Sequence, residues 1–111
     1  MENDRELLEL AAKAAGHEHV WKYGPDMLLC WSGEPMKSPD KPWNPLTDDG
    51  DALRLAVKLN LELGFGVEGR VYSFLRGHEG AGEDIPPGSD PYAATRRAIV
   101  RAAAAIGKAN P

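Results

Sequence analysis

Val71-Tyr72-Ser73-Phe74-Leu75 is a short run of β-branched, aromatic and aliphatic residues that is apolar on both faces of an extended chain. Met27-Leu28-Leu29-Cys30-Trp31 repeats the signature. A strand that is apolar on both faces needs cover on both sides, so two of them predict a small sheet held between helical layers. His19 to Tyr23 reads differently: Trp21 and Tyr23 share one face, while Glu18 and Lys22 flank Val20 on the other. Such a one-sided strand fits a sheet edge. Only Gly24-Pro25-Asp26 separates it from the Met27 run, and three strong turn formers between two strands predict a β-hairpin.

Three helices are expected around these strands. The first starts at Asn3 or Asp4, whose short polar side chains cap free backbone N–H groups. It carries Leu7, Leu8, Leu10, Ala11 and Ala14 and stops at Gly16. The second runs from Asp48 to about Leu61, with Ala52, Leu53, Ala56, Val57, Leu59 and Asn60 on one side, Asp51, Arg54 and Lys58 opposite, and Leu55 on the polar side. The third opens at Asp90-Pro91, a capping side chain followed by a proline at the first helical position, and continues to Gly107. Its wheel gathers Tyr92, Thr95, Ile99, Ala102, Ala103 and Ile106 on one side and Arg97, Arg101 and Lys108 on the other. Residues 65–67 read as a short strand, weakened by Gly64, Gly66 and Gly69. Residues 32–45 and 77–89, rich in Pro, Gly and charge, read as long loops. The order helix, hairpin, helix, strands, helix does not alternate as a parallel fold would. The fold class is therefore α+β: a three-layer α/β/α sandwich with about three helices and a small, mostly antiparallel or mixed sheet.

At 111 residues the chain is expected to form one domain, and its 42% hydrophobic and 27% charged residues lie near globular averages. No run approaches the roughly 20 apolar residues that span a bilayer, so no membrane partner is expected. The polar, acidic start Met1-Glu2-Asn3-Asp4 lacks the basic and apolar regions of a secretory signal, which places the expected location in the cytoplasm. The single cysteine, Cys30, has no internal disulfide partner and reads as a buried thiol. A net charge of -4 opposes long-range attraction to phosphate backbones, and nucleic acid is disfavoured as a partner.

The densest chemistry lies in Trp43-Asn44-Pro45-Leu46-Thr47-Asp48-Asp49-Gly50-Asp51-Ala52, a proline-stiffened turn full of carboxylates at a helix entrance. Asp48, Asp49 and Asp51 are oxygen donors of the kind hard cations take, yet their spacing is not that of a calcium loop. Thr47 or Asp48 as helix cap, with the remaining carboxylates at the positive helix end, is the favoured reading, and no metal or cofactor is expected. His17 and His19 point to one side of an extended segment and His78 lies in the second long loop, but no full ligand set accompanies them. Ser32, Ser73 and Ser89 sit in no nucleophile elbow, Cys30 has no basic neighbour, and the glycines near Gly64 precede a strand rather than open a helix. No catalytic residue is assigned. Arg96, Arg97 and Arg101 form the basic cluster; Arg97 and Arg101 can grip an anion, while the solvated face of a helix is the commoner role. Arg96 points elsewhere, toward an aspartate near Asp48. Trp31 and Trp43 flank the first long loop and read as packing under it.

The run Trp43 to Val57, together with Ala94-Thr95-Arg96-Arg97-Ala98-Ile99-Val100-Arg101-Ala102-Ala103, resembles the phage α/β/α-sandwich (ABA sandwich) domain family. The two blocks cover about a quarter of the chain. The resemblance implies a three-layer sandwich and an origin in phage or prophage DNA, with no established activity and no catalytic residues to carry over. It also allows Asn44, Asp48, Asp51, Arg96 and Arg97 to be structural ties between two helices. The function expected is that of a non-enzymatic accessory protein binding a small anionic ligand or a protein partner through Trp43, Asn44, Asp48, Asp49, Asp51, Arg96 and Arg97. The alternatives are a small metal-dependent hydrolase using Asp49 or Asp51, and an assembly role through a symmetric homo-oligomer burying Trp31 or the Val100 side.

Overall fold

The computed structural model of the chain describes residues 3–16, 18–21, 28–31, 43–67, 69–75 and 80–109; for 18–21, 28–31 and 66–67 the description is of the backbone. Helix α1 spans Asp4–Ala14, α2 Asp49–Leu59 and α3 Pro91–Ala109. Strands β1 (Glu18–Trp21) and β2 (Leu28–Trp31) form an antiparallel pair with Glu18 opposite Trp31. Strands β3 (Glu62–Val67), β4 (Arg70–Phe74) and β5 (Ala81–Asp84) form an antiparallel sheet in that order. This is a small α+β fold with three helices and an antiparallel sheet, as the residue pattern predicts. The loop between β1 and β2, residues 32–42, His17 and His78 lie outside the described residues.

Helix α1 begins where Asn3 accepts a hydrogen bond from the Glu6 N–H at 2.9 Å. Its apolar side, Leu7, Leu8, Ala11 and Ala12, is buried. Helix α3 is the hub: it packs against α1, α2, β4 and β5. Its burial therefore runs around much of the cylinder, taking in Ala98, Ile99, Val100, Ala102, Ala103, Ala104, Ile106 and Gly107. Alanine at so many contact positions lets these four neighbours approach one helix closely. Gly107, the expected last residue of the helix, lies inside α3: a Cβ there would come within 2.0 Å of the Leu10 carbonyl oxygen, so α1 and α3 meet almost backbone to backbone. The Val100 side, offered by the sequence as a dimer surface, is instead fully buried inside the chain. No helix among the described residues is long and apolar enough to cross a membrane.

Helix α2 is rotated from the orientation the wheel suggests. Leu55 is 2% exposed, whereas Leu53 and Val57 are 60% and 67% exposed. Asp51, Ala52, Leu55 and Ala56 form the buried face. Apolar residues at 52, 53, 55, 56, 57 and 59 support two stripes equally well, and contacts at the helix entrance select between them. The helix ends at Asn60 in the left-handed conformation (φ 56°), with the Leu61 N–H donating to the Ala56 carbonyl at 2.9 Å and the Asn60 N–H to Val57 at 3.2 Å. This is the paired closure of a Schellman motif.

Strand β4 departs from its reading as two-sided. Val71 and Ser73 are buried, while Tyr72 and Phe74 are 37% and 36% exposed. The sheet lays one face on α3, and among the described residues no element packs on the other. β3 is longer than expected and carries a register irregularity between Gly64 and Val67, and Phe65 beside it is exposed. Gly69, at φ 73°, supplies the left-handed residue that returns the chain from β3 to β4. β5 falls within a stretch read as loop: Ala81-Gly82-Glu83-Asp84 has no apolar alternation and owes its strand geometry to pairing with β4.

Candidate functional site

The carboxylate-rich turn closes on itself before α2 begins. The Asn44 side-chain oxygen accepts from the Leu46 N–H at 3.0 Å, and the Asn44 carbonyl accepts from the Thr47 and Asp48 N–H groups at 3.2 and 2.9 Å. Asp48 is the helix cap: its carboxylate accepts the Asp51 N–H at 2.8 Å. Asp51 reaches back past the cap. Its Oδ2 accepts the Asn44 N–H at 3.0 Å and its Oδ1 the Arg54 guanidinium at 2.7 Å. A carboxylate with its oxygens so committed can be buried, and Asp51 is. Its burial orients α2, turning Leu55 inward and Leu53 outward.

Arg96 brings α3 to this turn. Its Nε donates to the Leu46 carbonyl at 2.9 Å and its Nη1 to Asp49 at 2.6 Å, with Asp90 at 4.0 Å from Nη2. The Arg96 side chain is largely buried, while Asp49 stands in solvent. The expected meeting of the turn with α3 thus occurs through Arg96. Arg97 does not join it. One residue further around the helix, it pairs with Asp4 of α1 at 3.0 Å and Glu83 of β5 at 3.4 Å. Arg101, one turn on, also reaches Glu83 at 3.2 Å and donates to the Gly82 carbonyl at 3.0 Å. The arginine stripe is a clamp between α3, α1 and edge strand β5. Glu83 at its centre was not among the residues singled out by sequence, because a lone glutamate in a Gly-rich stretch carries no local signal.

Of the seven residues expected to form one site, Asn44, Asp48, Asp49, Asp51 and Arg96 are thus brought together. Trp43 is partly buried against the hydrophobic core, and Arg97 lies on the other side of α3. Each of Asp48, Asp49 and Asp51 has a backbone N–H or a guanidinium as partner. Among the described residues no three His, Cys, Asp or Glu side chains converge in a way that would hold a metal ion. A depression of about 390 Å³ lies elsewhere, with Leu7, Gly80, Ala81, Arg101, Ala105, Lys108 and Ala109 on its described wall. Chemically, the turn is a network of satisfied hydrogen bonds that joins α2 to α3.

The remaining surface of note is the open face of the three-stranded sheet. Tyr72 sits at its centre, opposite Gly64 on β3 and Gly82 on β5. The Tyr72 ring leans over Gly82, where a Cβ would stand 3.0 Å from the ring, and the Arg70 guanidinium lies 5.4 Å from its centroid. Arg70 in turn pairs with Asp84 at 2.8 Å. Phe74 is cross-strand from Glu62 at the far end. Compared with known proteins, the chain matches no family model, no curated protein and no solved structure.

Proposed function

We propose that this chain is a non-enzymatic accessory protein of the phage or prophage kind, acting in the cytoplasm of a bacterial host, and that its work is to bind a protein partner on the open sheet face. The observation that carries the reading is the alternation on β4: Val71 and Ser73 go to the core, and Tyr72 and Phe74 go to the surface. A central strand that spends two aromatics on the open side of a small domain offers the rigid, low-entropy contact groups that protein interfaces favour. The Asp/Arg turn is less suited to a free anion, since Arg96 already holds Asp49 and the Leu46 carbonyl. The hydrolase alternative is less favoured, because Asp51 commits both oxygens to the Asn44 N–H and Arg54 and Asp49 places one on Arg96.

The test is affinity capture from a phage-infected or prophage-carrying host with three baits: wild type, Tyr72→Glu and Asp49→Asn. The reading expects one protein retained by wild type and Asp49→Asn and lost with Tyr72→Glu. Retention by Tyr72→Glu, or loss with Asp49→Asn, overturns it.

A further inference from the structure

Resting on the reading of the sheet face as a protein-contact surface, we infer that the partner presents an arginine, which lies on the Phe74 ring and pairs with Glu62. The face already holds such an arrangement built from this chain alone. The Arg70 guanidinium lies 5.4 Å from the centroid of the Tyr72 ring and pairs at 2.8 Å with Asp84, its cross-strand neighbour. A guanidinium can do both because it is planar: its face stacks on an aromatic ring while its edge donates to a carboxylate. Phe74 and Glu62 offer the same two groups at the other end of the face. They stand directly opposite one another on β4 and β3, so their Cβ atoms are about 4.5–5.5 Å apart and both side chains leave the sheet on the Tyr72 side. Both are exposed, and among the described residues no lysine or arginine pairs with Glu62 or stacks on Phe74.

Charge selects the cation. Among the described residues the ionised groups of this face are Arg70, Asp84 and Glu62, since Glu83 stands opposite Val71 and turns with it toward α3, where Arg97 and Arg101 hold it. Arg70 and Asp84 neutralise each other, which leaves one negative charge, beside the Phe74 ring. The net charge of -4 on the chain attracts cations in the same sense. An acidic partner group would meet repulsion at Glu62, and an aliphatic one would cover its carboxylate without a hydrogen bond. Arginine suits the pair better than lysine, because a flat guanidinium covers the ring and reaches both carboxylate oxygens, whereas an ammonium is a single point charge. Gly64, the next residue of β3 on this side, gives the arginine stem room: among the described residues nothing lies within 4 Å of where its Cβ would stand. An exposed contact of this kind sets which partner docks more than how tightly it is held.

The test titrates three capped tripeptides, Gly-Arg-Gly, Gly-Lys-Gly and Gly-citrulline-Gly, into the full chain up to about 50 mM at matched ionic strength, followed by NMR. Citrulline keeps the shape of arginine and lacks its charge. The arginine peptide should shift the Phe74 ring and Glu62 side-chain signals, and its own δ-methylene protons should move upfield under the ring. It should bind at least about fivefold tighter than the citrulline peptide and about threefold tighter than the lysine peptide. Glu62→Gln and Phe74→Leu should each weaken it at least about threefold, whereas Glu6→Gln, which removes an exposed carboxylate from α1, should leave it unchanged. No binding of the arginine peptide, citrulline or lysine binding as tightly, indifference to Phe74→Leu, or equal effects of Glu62→Gln and Glu6→Gln overturns the arginine. The surface reading itself is decided separately, because it falls only if Tyr72→Glu keeps its captured partner or Asp49→Asn loses it.

Discussion

Gly107 decides how closely the two longest-range helices meet. Its Cα faces the Leu10 carbonyl with no room for a methyl group, and neither backbone can retreat without opening the alanine-lined contact around Ala11 and Ala103. Gly107→Ala is expected to destabilise the protein by about 1–3 kcal/mol in urea unfolding, although alanine is the better helix former, because overpacking a closed contact outweighs helix propensity. Ser73 is the opposite case. It is fully buried, and among the described residues its hydroxyl has no hydrogen-bond partner, so Ser73→Ala should leave stability unchanged or raise it by up to about 1 kcal/mol. A loss above that amount would mean that the hydroxyl has a partner.

At the scale of the element, α2 shows why a helical pattern does not fix a helix's orientation. Its two apolar stripes compete, and the buried carboxylate of Asp51 selects the Leu55 stripe through its bonds to Asn44 and Arg54. Leu55→Ala is therefore expected to cost about 2–5 kcal/mol and Leu53→Ala less than about 0.5 kcal/mol, by thermal or urea unfolding. Equal costs would refute the orientation. β5 makes the converse point. Its residues carry no strand signal, and β4 on one side and the Arg97 and Arg101 grip on Glu83 on the other hold it in place.

Across the whole molecule, Arg96 joins the α2 entrance to α3 over a separation of 50 residues. Its two bonds differ in worth. The one to the Leu46 carbonyl is partly buried, whereas the pair with Asp49 meets a solvent-exposed carboxylate. Arg96→Ala should cost about 2 kcal/mol, and Asp49→Ala less than about 1 kcal/mol, as exposed ion pairs do. Matching losses from the two substitutions would place the tie in the ion pair instead of the carbonyl bond.

Much of this protein was legible in its residues before any folding. Asn3, Asp48 and Asp90-Pro91 mark three helix starts, a turn-rich gap separates β1 from β2, and the carboxylates at the α2 entrance announce a cap and a pairing with Arg96. These signals are local, carried by side chains that reach backbone or neighbours within a few positions. Tertiary contact alone decided which side of α2 is buried, that β4 is covered on one face only, that Ala81–Asp84 is a strand, and that Arg97 parts from Arg96 to serve the other flank of α3. Each of those outcomes depends on what stands opposite a surface, and a chain's local pattern limits the surfaces it can offer without naming the one that will meet them.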